Sequence, residues 1–353
     1  MAVHQLVPTL EPGAVGGHIL EIQRLTREMG VGGEIFAEHL RMAPGTGRDF
    51  RDYGRSVKAH AGDVLLYHMA IGSTVADFAA GRPETLVVDH HNITPASWFV
   101  AWEPAAVHGV AWGRHQLAAL AGRSALGIAD SAYNERELVE LGYASTTVVP
   151  ILLDASSFDA EVDDAALERL TTDEDVWLFV SRIVPNKCQH DLIKAFAAHQ
   201  RAYGTPARLR IVGYPASERY VQALHALVDA LDLRDRVEII PSATPGEKIA
   251  HYRTADVYVS ASEHEGFSVT LLEAMHHGVP VVAYASTAVP ETLGDGGLCL
   301  PSKAPSVLAA AVDRVARDRA LRAALVDAGR RRVADFDLAV TRTRMADALA
   351  RVL

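Results

Sequence analysis

Short apolar runs and amphipathic stretches alternate along the whole chain. Val64-Leu65-Leu66-Tyr67, Leu86-Val87-Val88, Val176-Trp177-Leu178-Phe179-Val180 and Val281-Val282-Ala283 are continuous apolar blocks too short for helices, and they read as strands buried on both faces. Between such blocks apolar residues recur at helical spacing, as in Ile19, Leu20, Ile22 and Leu25, and again in Leu192, Ile193, Ala195 and Phe196. Strand then helix, repeated throughout, predicts an α/β protein with parallel sheets covered by helices. The second half alone supplies strands near Val176, Leu209, Val237, Val257, Val281 and Leu298. A single core rarely grows beyond about 250–300 residues, so 353 residues divide naturally into two domains. The acidic, weakly apolar run Asp154 to Asp164 is the best linker. This places a first domain at 1–155 and a second at 156–336, with an amphipathic helix closing the chain from 337 to 353.

Composition narrows the partners. A formal net charge of −10 argues against nucleic acid, which requires a basic stripe. Two cysteines, Cys188 and Cys299, make no disulfide framework and fit a reducing cytoplasm. The N-terminus has no basic region followed by a long apolar core, and no eighteen-residue apolar stretch occurs. Arg41, Arg48, Arg51, Arg55 and Lys58 form a loose basic stretch broken by Asp49 and Asp52. It reads as a solvated loop and helix, with room for contact with an acceptor or a lipid headgroup.

The chemistry concentrates in Ser-Glu-His-Glu-Gly-Phe-Ser-Val-Thr-Leu-Leu-Glu-Ala-Met, residues 262–275. A helix predicted from Ser268 to His277 would point its free amides and positive dipole end at an anion, while Gly266 permits close backbone approach. Glu265 lies just before that helix and Glu273 inside it, about 8 Å further along the axis at 1.5 Å per residue. Carboxylates repel phosphates, so their natural partners are hydroxyls on either side of a diphosphate, a ribose and a sugar. Upstream, the Val176–Val180 strand delivers Arg182 and Lys187 to its carboxyl end, where open α/β sheets bind ligands. A planar guanidinium and a compact ammonium suit a diphosphate that gains charge on leaving. In the first half, Gly13, Gly16 and Gly17 form a strand–glycine–helix unit whose spacing is not a dinucleotide fingerprint. His90 and His91 end the Leu86–Asp89 strand, and His68 ends another. Metal chemistry finds little support. No His-Glu-x-x-His occurs, His276 and His277 point to different faces, and Asp173-x-Asp175 sits at the amino end of its strand.

The segment Glu265-Gly266-Phe267-Ser268 with Glu273-Ala274-Met275, followed by Gly278-Val279-Pro280-Val281-Val282-Ala283 and Val289-Pro290-Glu291, resembles the paired-glutamate motif of retaining glycosyltransferases of family 4. The family's usual form has glycine or cysteine where Ser268 stands. The resemblance implies the GT-B fold: two Rossmann-like, doubly wound parallel-sheet domains facing across a cleft, with the last helix crossing back to the first domain. It implies transfer of a sugar, with retention, from a nucleoside-diphosphate sugar to an acceptor hydroxyl of a glycan, a lipid-linked compound or a small molecule. No cofactor and no metal are expected. By the same resemblance Arg182, Lys187, Glu265 and His91 form the catalytic set. Gly16, Gly17, Gly213, Gly266, Phe267, Ser268, Leu272 and Glu273 bind the donor, with Glu265 on the sugar and Glu273 on the ribose. The loops after Ile211-Val212-Gly213 and Ile239-Ile240-Pro241-Ser242-Ala243 would surround the base, where Pro241 and Ser242 depart from the family pattern. A nucleotide-sugar epimerase of the same architecture and a non-catalytic sugar-nucleotide-binding subunit are the alternatives.

Overall fold

The computed structural model describes residues 1–57, 60 and 62–353, so Lys58 of the basic stretch lies outside the described residues. The chain forms two compact units, one of Met1–Val100, Pro104–Leu153 and Phe336–Leu353, the other of Ala101–Glu103 and Asp154–Asp335.

The first unit holds seven strands: β1 (Val3–Leu10), β2 (Ile35–Leu40), β3 (Arg48–Asp49), β4 (Val64–Met69), β5 (Thr85–His90), β6 (Ser124–Ala129) and β7 (Thr146–Val148). They pair in parallel in the order β3-β2-β1-β4-β5-β6-β7. Every residue of β4 is buried, as a strand covered on both faces requires. The Ala14–Glu28 helix buries Ile19, Ile22 and Leu25. The last helix, Leu338–Ala350, belongs to this unit and packs Met345, Ala348 and Leu349 with Val3, Ile22, Leu66 and Ile128. Met345 and Leu349 are both wholly buried, a contribution of about 1.5–3 kcal/mol each. Arg342 of that helix pairs with Glu21 and Glu28.

The second unit holds β8 (Asp175–Val180), β9 (Ala207–Val212), β10 (Val237–Ile240), β11 (Val257–Ser260), β12 (Val281–Tyr284) and β13 (Gly297–Leu300). They are parallel in the order β10-β9-β8-β11-β12-β13. Strand direction of growth reverses between β8 and β11, the switch point at which open sheets carry ligand sites. Trp177 of β8 is 1% exposed and packs edge-on against Phe196 of the Gln189–Tyr203 helix, ring centroids 5.4 Å apart. The acidic run after Asp154 is not bare linker. Asp163 caps the Asp164–Leu170 helix by accepting from the Ala166 amide, and Phe158 is buried against His276. Among the described residues no helix is long and apolar enough to cross a membrane.

Candidate functional site

The loops that leave β8 and β11 bring the charged residues of the second unit together. The first, Ser181–Lys187, closes in a tight turn at Pro185–Lys187, and Cys188 in the left-handed region (φ 52°) starts the next helix. Asn186 ties it to the second loop. Its side-chain amide donates to the His264 carbonyl at 3.2 Å, and its own carbonyl accepts from the Glu263 amide at 2.9 Å. Lys187 Nζ thereby lies 2.6 Å from Glu265 Oε2, with only 15% and 8% of the two side chains exposed. The Glu265 backbone is clamped as well. Its amide donates to Thr287 Oγ1 at 2.8 Å, and that hydroxyl donates back to its carbonyl at 2.9 Å.

Glu273 has its own partners. Lys248 Nζ is 2.8 Å from Oε1, and the Tyr252 hydroxyl donates to Oε2 at 2.8 Å. Burial, and then the adjacent Glu273 carboxylate, push the Tyr252 phenol well above its ordinary pKa, so it stays a donor. Lys248 and Tyr252 went unnoticed in the sequence although a signal was there. Thr244-Pro245-Gly246-Glu247 forms a capping box that starts the Pro245–Arg253 helix, and residues four apart share one helix face. A cavity of about 270 Å³ opens beside Glu273 and Lys248, bounded also by Ala243 and Thr244 after β10 and by His277. Burial, and then neighbouring His276, lower His277 to about 4, leaving its ring neutral and stacked on Tyr252.

The helix carrying Glu273 runs Val269–His276, one residue shorter at each end than the sequence pattern predicts. Ser268 is held at φ 79°, in the left-handed region, where an L residue cannot continue a right-handed helix. It makes no side-chain cap, so the helix amides carry none. The same backbone explains why a glycine suits this position. Phe267 is buried and its carbonyl accepts from the Thr292 hydroxyl, while Leu272 is 1% exposed within the core. Gly266 is half-buried between Glu265 and Phe267. Gly213 ends β9 at φ 147°, where a Cβ would sit 1.9 Å from the Ser181 carbonyl oxygen. Arg182 is exposed, and among the described residues its guanidinium forms no ion pair. Asp175 opens β8 at the amino end and pairs with Arg317 at 2.9 Å, while Asp173 is exposed.

In the first unit, Gly16 and Gly17 lie inside the first turn of the Ala14–Glu28 helix, with Gly13 as its N-cap. A Cβ on Gly16 would meet the Glu11 carbonyl oxygen at 2.0 Å, whereas Gly17 is exposed with open space around it. Gly16 is therefore required for packing the turn. His90 turns to Glu137, 3.0 Å away. His91 joins a buried cluster at the ends of β4, β5 and β6. Its Nδ1 lies 3.1 Å from both Asp130 oxygens and its Nε2 3.0 Å from His68 Nδ1. His68 Nε2 faces Gln5 Oε1 at 2.9 Å, and His18 Nε2 lies 2.8 Å from Asp89 Oδ2. Burial opposes a charge on His91, yet the Asp130 and Asp89 carboxylates outweigh it and raise the ring to about 9. Burial lowers His68 to about 4. Burial would also raise Asp89, but the facing imidazoles of His91 and His18 hold its carboxyl well below the usual range. His18, Asp89 and Asp130 carry no local motif; the one hint is that Asp89 and Asp130 both lie at strand ends. The ligand-capable atoms of His18, His68, Asp89 and His91 all lie within 4.8 Å of one another. Cys188, His190 and Asp191 form a second such group, but there Lys303 occupies the space between Asp191 and Glu263.

Residues 163–332 match the family model described as glycosyl transferases group 1. The D-inositol 3-phosphate glycosyltransferase of Kineococcus radiotolerans is 34% identical over 235 residues, which cover 61% of this chain and 54% of that protein. The chain spans about half the length of the curated relatives it matches. Among solved structures, the sucrose-phosphate synthase of Thermosynechococcus elongatus superposes with a TM-score of 0.77 at 19% identity, covering 100% of this chain and 99% of that one. Anabaena HepE in complex with UDP-glucose gives 0.73 at 18% identity, covering 99% and 100%. At that identity the likeness speaks for the fold alone, and the fold is GT-B. Residues 163–332, which carry the paired glutamates at the switch point of the second unit's sheet, are thus similar to the glycosyl transferases group 1 family.

Proposed function

We propose that this chain is a retaining glycosyltransferase of family 4 that transfers a sugar from a nucleoside-diphosphate sugar to an acceptor hydroxyl, with no metal ion at the diphosphate. One observation carries the reading. Glu265 and Glu273 lie on one loop and helix at the β8–β11 switch point, each already held by a cation, and a cavity opens beside Glu273. In this reading the nucleoside occupies that cavity with its ribose on Glu273. The diphosphate lies against Arg182, Lys187 and the amides at the start of the Val269–His276 helix, and the sugar meets Glu265. Among the described residues Arg182 has no ion pair to break before it receives phosphate. Fixed positive groups aimed at the leaving oxygens then do what a bound metal does elsewhere. The acceptor attacks from the face the diphosphate leaves, and the departing phosphate oxygen takes the acceptor's proton, so neither glutamate acts as a nucleophile. The names of the relatives make a polyol phosphate the first acceptor to try, and HepE makes UDP-glucose the first donor.

Calorimetric titration with UDP and UDP-glucose tests the assignment. Glu273→Ala should weaken both ligands, whereas Glu265→Ala should weaken the sugar donor and spare UDP. Acceptor-dependent release of UDP should persist in EDTA. Equal losses in both variants would reject the two roles. Release that needs restored Mn²⁺ and fails in Asp173→Ala with Asp175→Ala would reject the metal-free diphosphate site.

A further inference from the structure

We propose that His68, Asp89 and His91 of the first unit bind a zinc ion, with His18 and Asp130 orienting the ligands. The site does not rest on the donor reading, and it gives His91 a role as ligand in place of the catalytic role implied by the family resemblance.

Three distances carry the proposal. Asp89 Oδ2 lies 3.3 Å from His68 Nδ1 and 3.6 Å from His91 Nε2, and the two nitrogens are 3.0 Å apart. Ligands at about 2.0–2.1 Å from a tetrahedral zinc are about 3.3–3.4 Å from one another. The triangle therefore has the edges of one face of such a site. Two imidazoles and a carboxylate suit zinc rather than magnesium or calcium, which prefer oxygen.

The outer hydrogen bonds set the tautomers that a metal requires. His68 Nε2 faces Gln5 Oε1, and the amide nitrogen of Gln5 is committed to the Ile19 carbonyl at 3.0 Å. His68 accordingly carries its proton on Nε2 and presents a lone pair at Nδ1. His91 Nδ1 faces both oxygens of Asp130, so its proton is there and its lone pair is at Nε2. Carboxylate and amide oxygens behind the imidazoles are the usual second layer of a zinc site. His18 differs. Its Nδ1 accepts from the Leu152 amide at 2.9 Å, so its proton is on Nε2 and goes to Asp89 Oδ2. That ring cannot ligate; it positions the carboxylate, and water completes the coordination.

Without a cation the two lone pairs on His68 and His91 would face each other at 3.0 Å, unless a further proton bridged them. One imidazolium then opposes two carboxylates. The cluster keeps a net negative charge although Asp89 is 0%, His68 1% and Asp130 3% exposed, and Asp89 Oδ1 has no hydrogen-bond partner among the described residues. A divalent ion displaces that proton and makes the cluster neutral, removing the cost of a buried unpaired charge. A search by local spacing overlooks such a site, because its ligands come from the ends of two adjacent strands.

The experiment is metal analysis of the full chain purified without chelator or a histidine tag. Zinc should be present at one ion per chain. After removal, Co²⁺ should restore the intense visible bands of a four-coordinate site. His68→Gln and Asp89→Asn should abolish both signals, and Asp130→Asn should weaken zinc about 10–100-fold. His190→Ala, in the other histidine group, should keep zinc. Parent protein that binds neither ion, zinc retained in both ligand variants, or zinc lost on His190→Ala would each overturn the proposal. The cobalt spectrum of the parent decides the matter even if a ligand variant does not fold.

Discussion

Replacing Lys187 with methionine removes the cation beside Glu265 while keeping the length of the stem. The two groups are 2.6 Å apart and mostly shielded from water. Removing one partner of a buried pair costs about 3–5 kcal/mol, and the remaining exposure of Lys187 places this case near the lower end, about 3 kcal/mol. Glu265→Gln should cost a similar amount for the same reason. The double variant should lose less than the sum of the two, by about 2–3 kcal/mol, because neither charge is then stranded. Hydrogen exchange of the Val176–Val180 amides in β8 reports on the second unit by itself. A loss of about 3 kcal/mol should accelerate it by roughly two orders of magnitude. A coupling below about 0.5 kcal/mol would refute the argument, since it would mean that Lys187 does not neutralise Glu265 in solution. Arg182→Ala is the contrast. With no ion pair described and an exposed side chain, it should change stability by less than about 0.5 kcal/mol.

Gly213→Ala should destabilise the chain by about 2–4 kcal/mol, from a left-handed φ and a Cβ driven into the Ser181 carbonyl, and should weaken UDP as the Ser181–Lys187 loop shifts; urea unfolding and calorimetry check both, and unchanged values would count against the close approach. Ser268→Gly should stabilise by about 0.5–1 kcal/mol by relieving φ 79°, while Ser268→Val should destabilise; opposite signs would contradict the strained N-cap. His251 is buried with Nδ1 unpartnered among the described residues, and burial, then the charge of Arg210, lower it to about 4. Its folded pKa lies below the unfolded value near 6.5, so the unfolded chain takes up the proton first, and stability falls as pH drops from about 6.5 toward 4. His251→Gln should remove about 1–2 kcal/mol of that acid loss, screened by remaining solvent and offset in part by Glu247; urea midpoints at the two pH values with identical slopes for parent and variant would refute it.

The alternation of strands and helices was legible in the sequence because it is local. A continuous apolar block such as Val64–Tyr67 can only be a strand buried on both faces, and β4 is one. The six strands of the second unit, and the strand-end position of Lys187, follow from the same patterning. β2 was missed, since Glu38 and His39 interrupt the apolar run of Ile35–Leu40. The helix at Glu273 was read one residue too long at each end, because amphipathic spacing does not reveal a left-handed residue such as Ser268.

What the patterning could not provide was partnership. Lys187 and Glu265 meet only because β8 and β11 are neighbours in the sheet although their first paired positions, Trp177 and Val257, are 80 apart in sequence. Gln5 of β1, His18 of the first helix, and His68, Asp89, His91 and Asp130 at the ends of β4, β5 and β6 converge, and no spacing along the chain encodes that. The hydrophobic pattern determines which face of each element is buried. Which polar groups then confront one another, and which proton each imidazole keeps, is decided by the order and register of parallel strands joined through long crossovers, a property of the packed sheet and of no single segment.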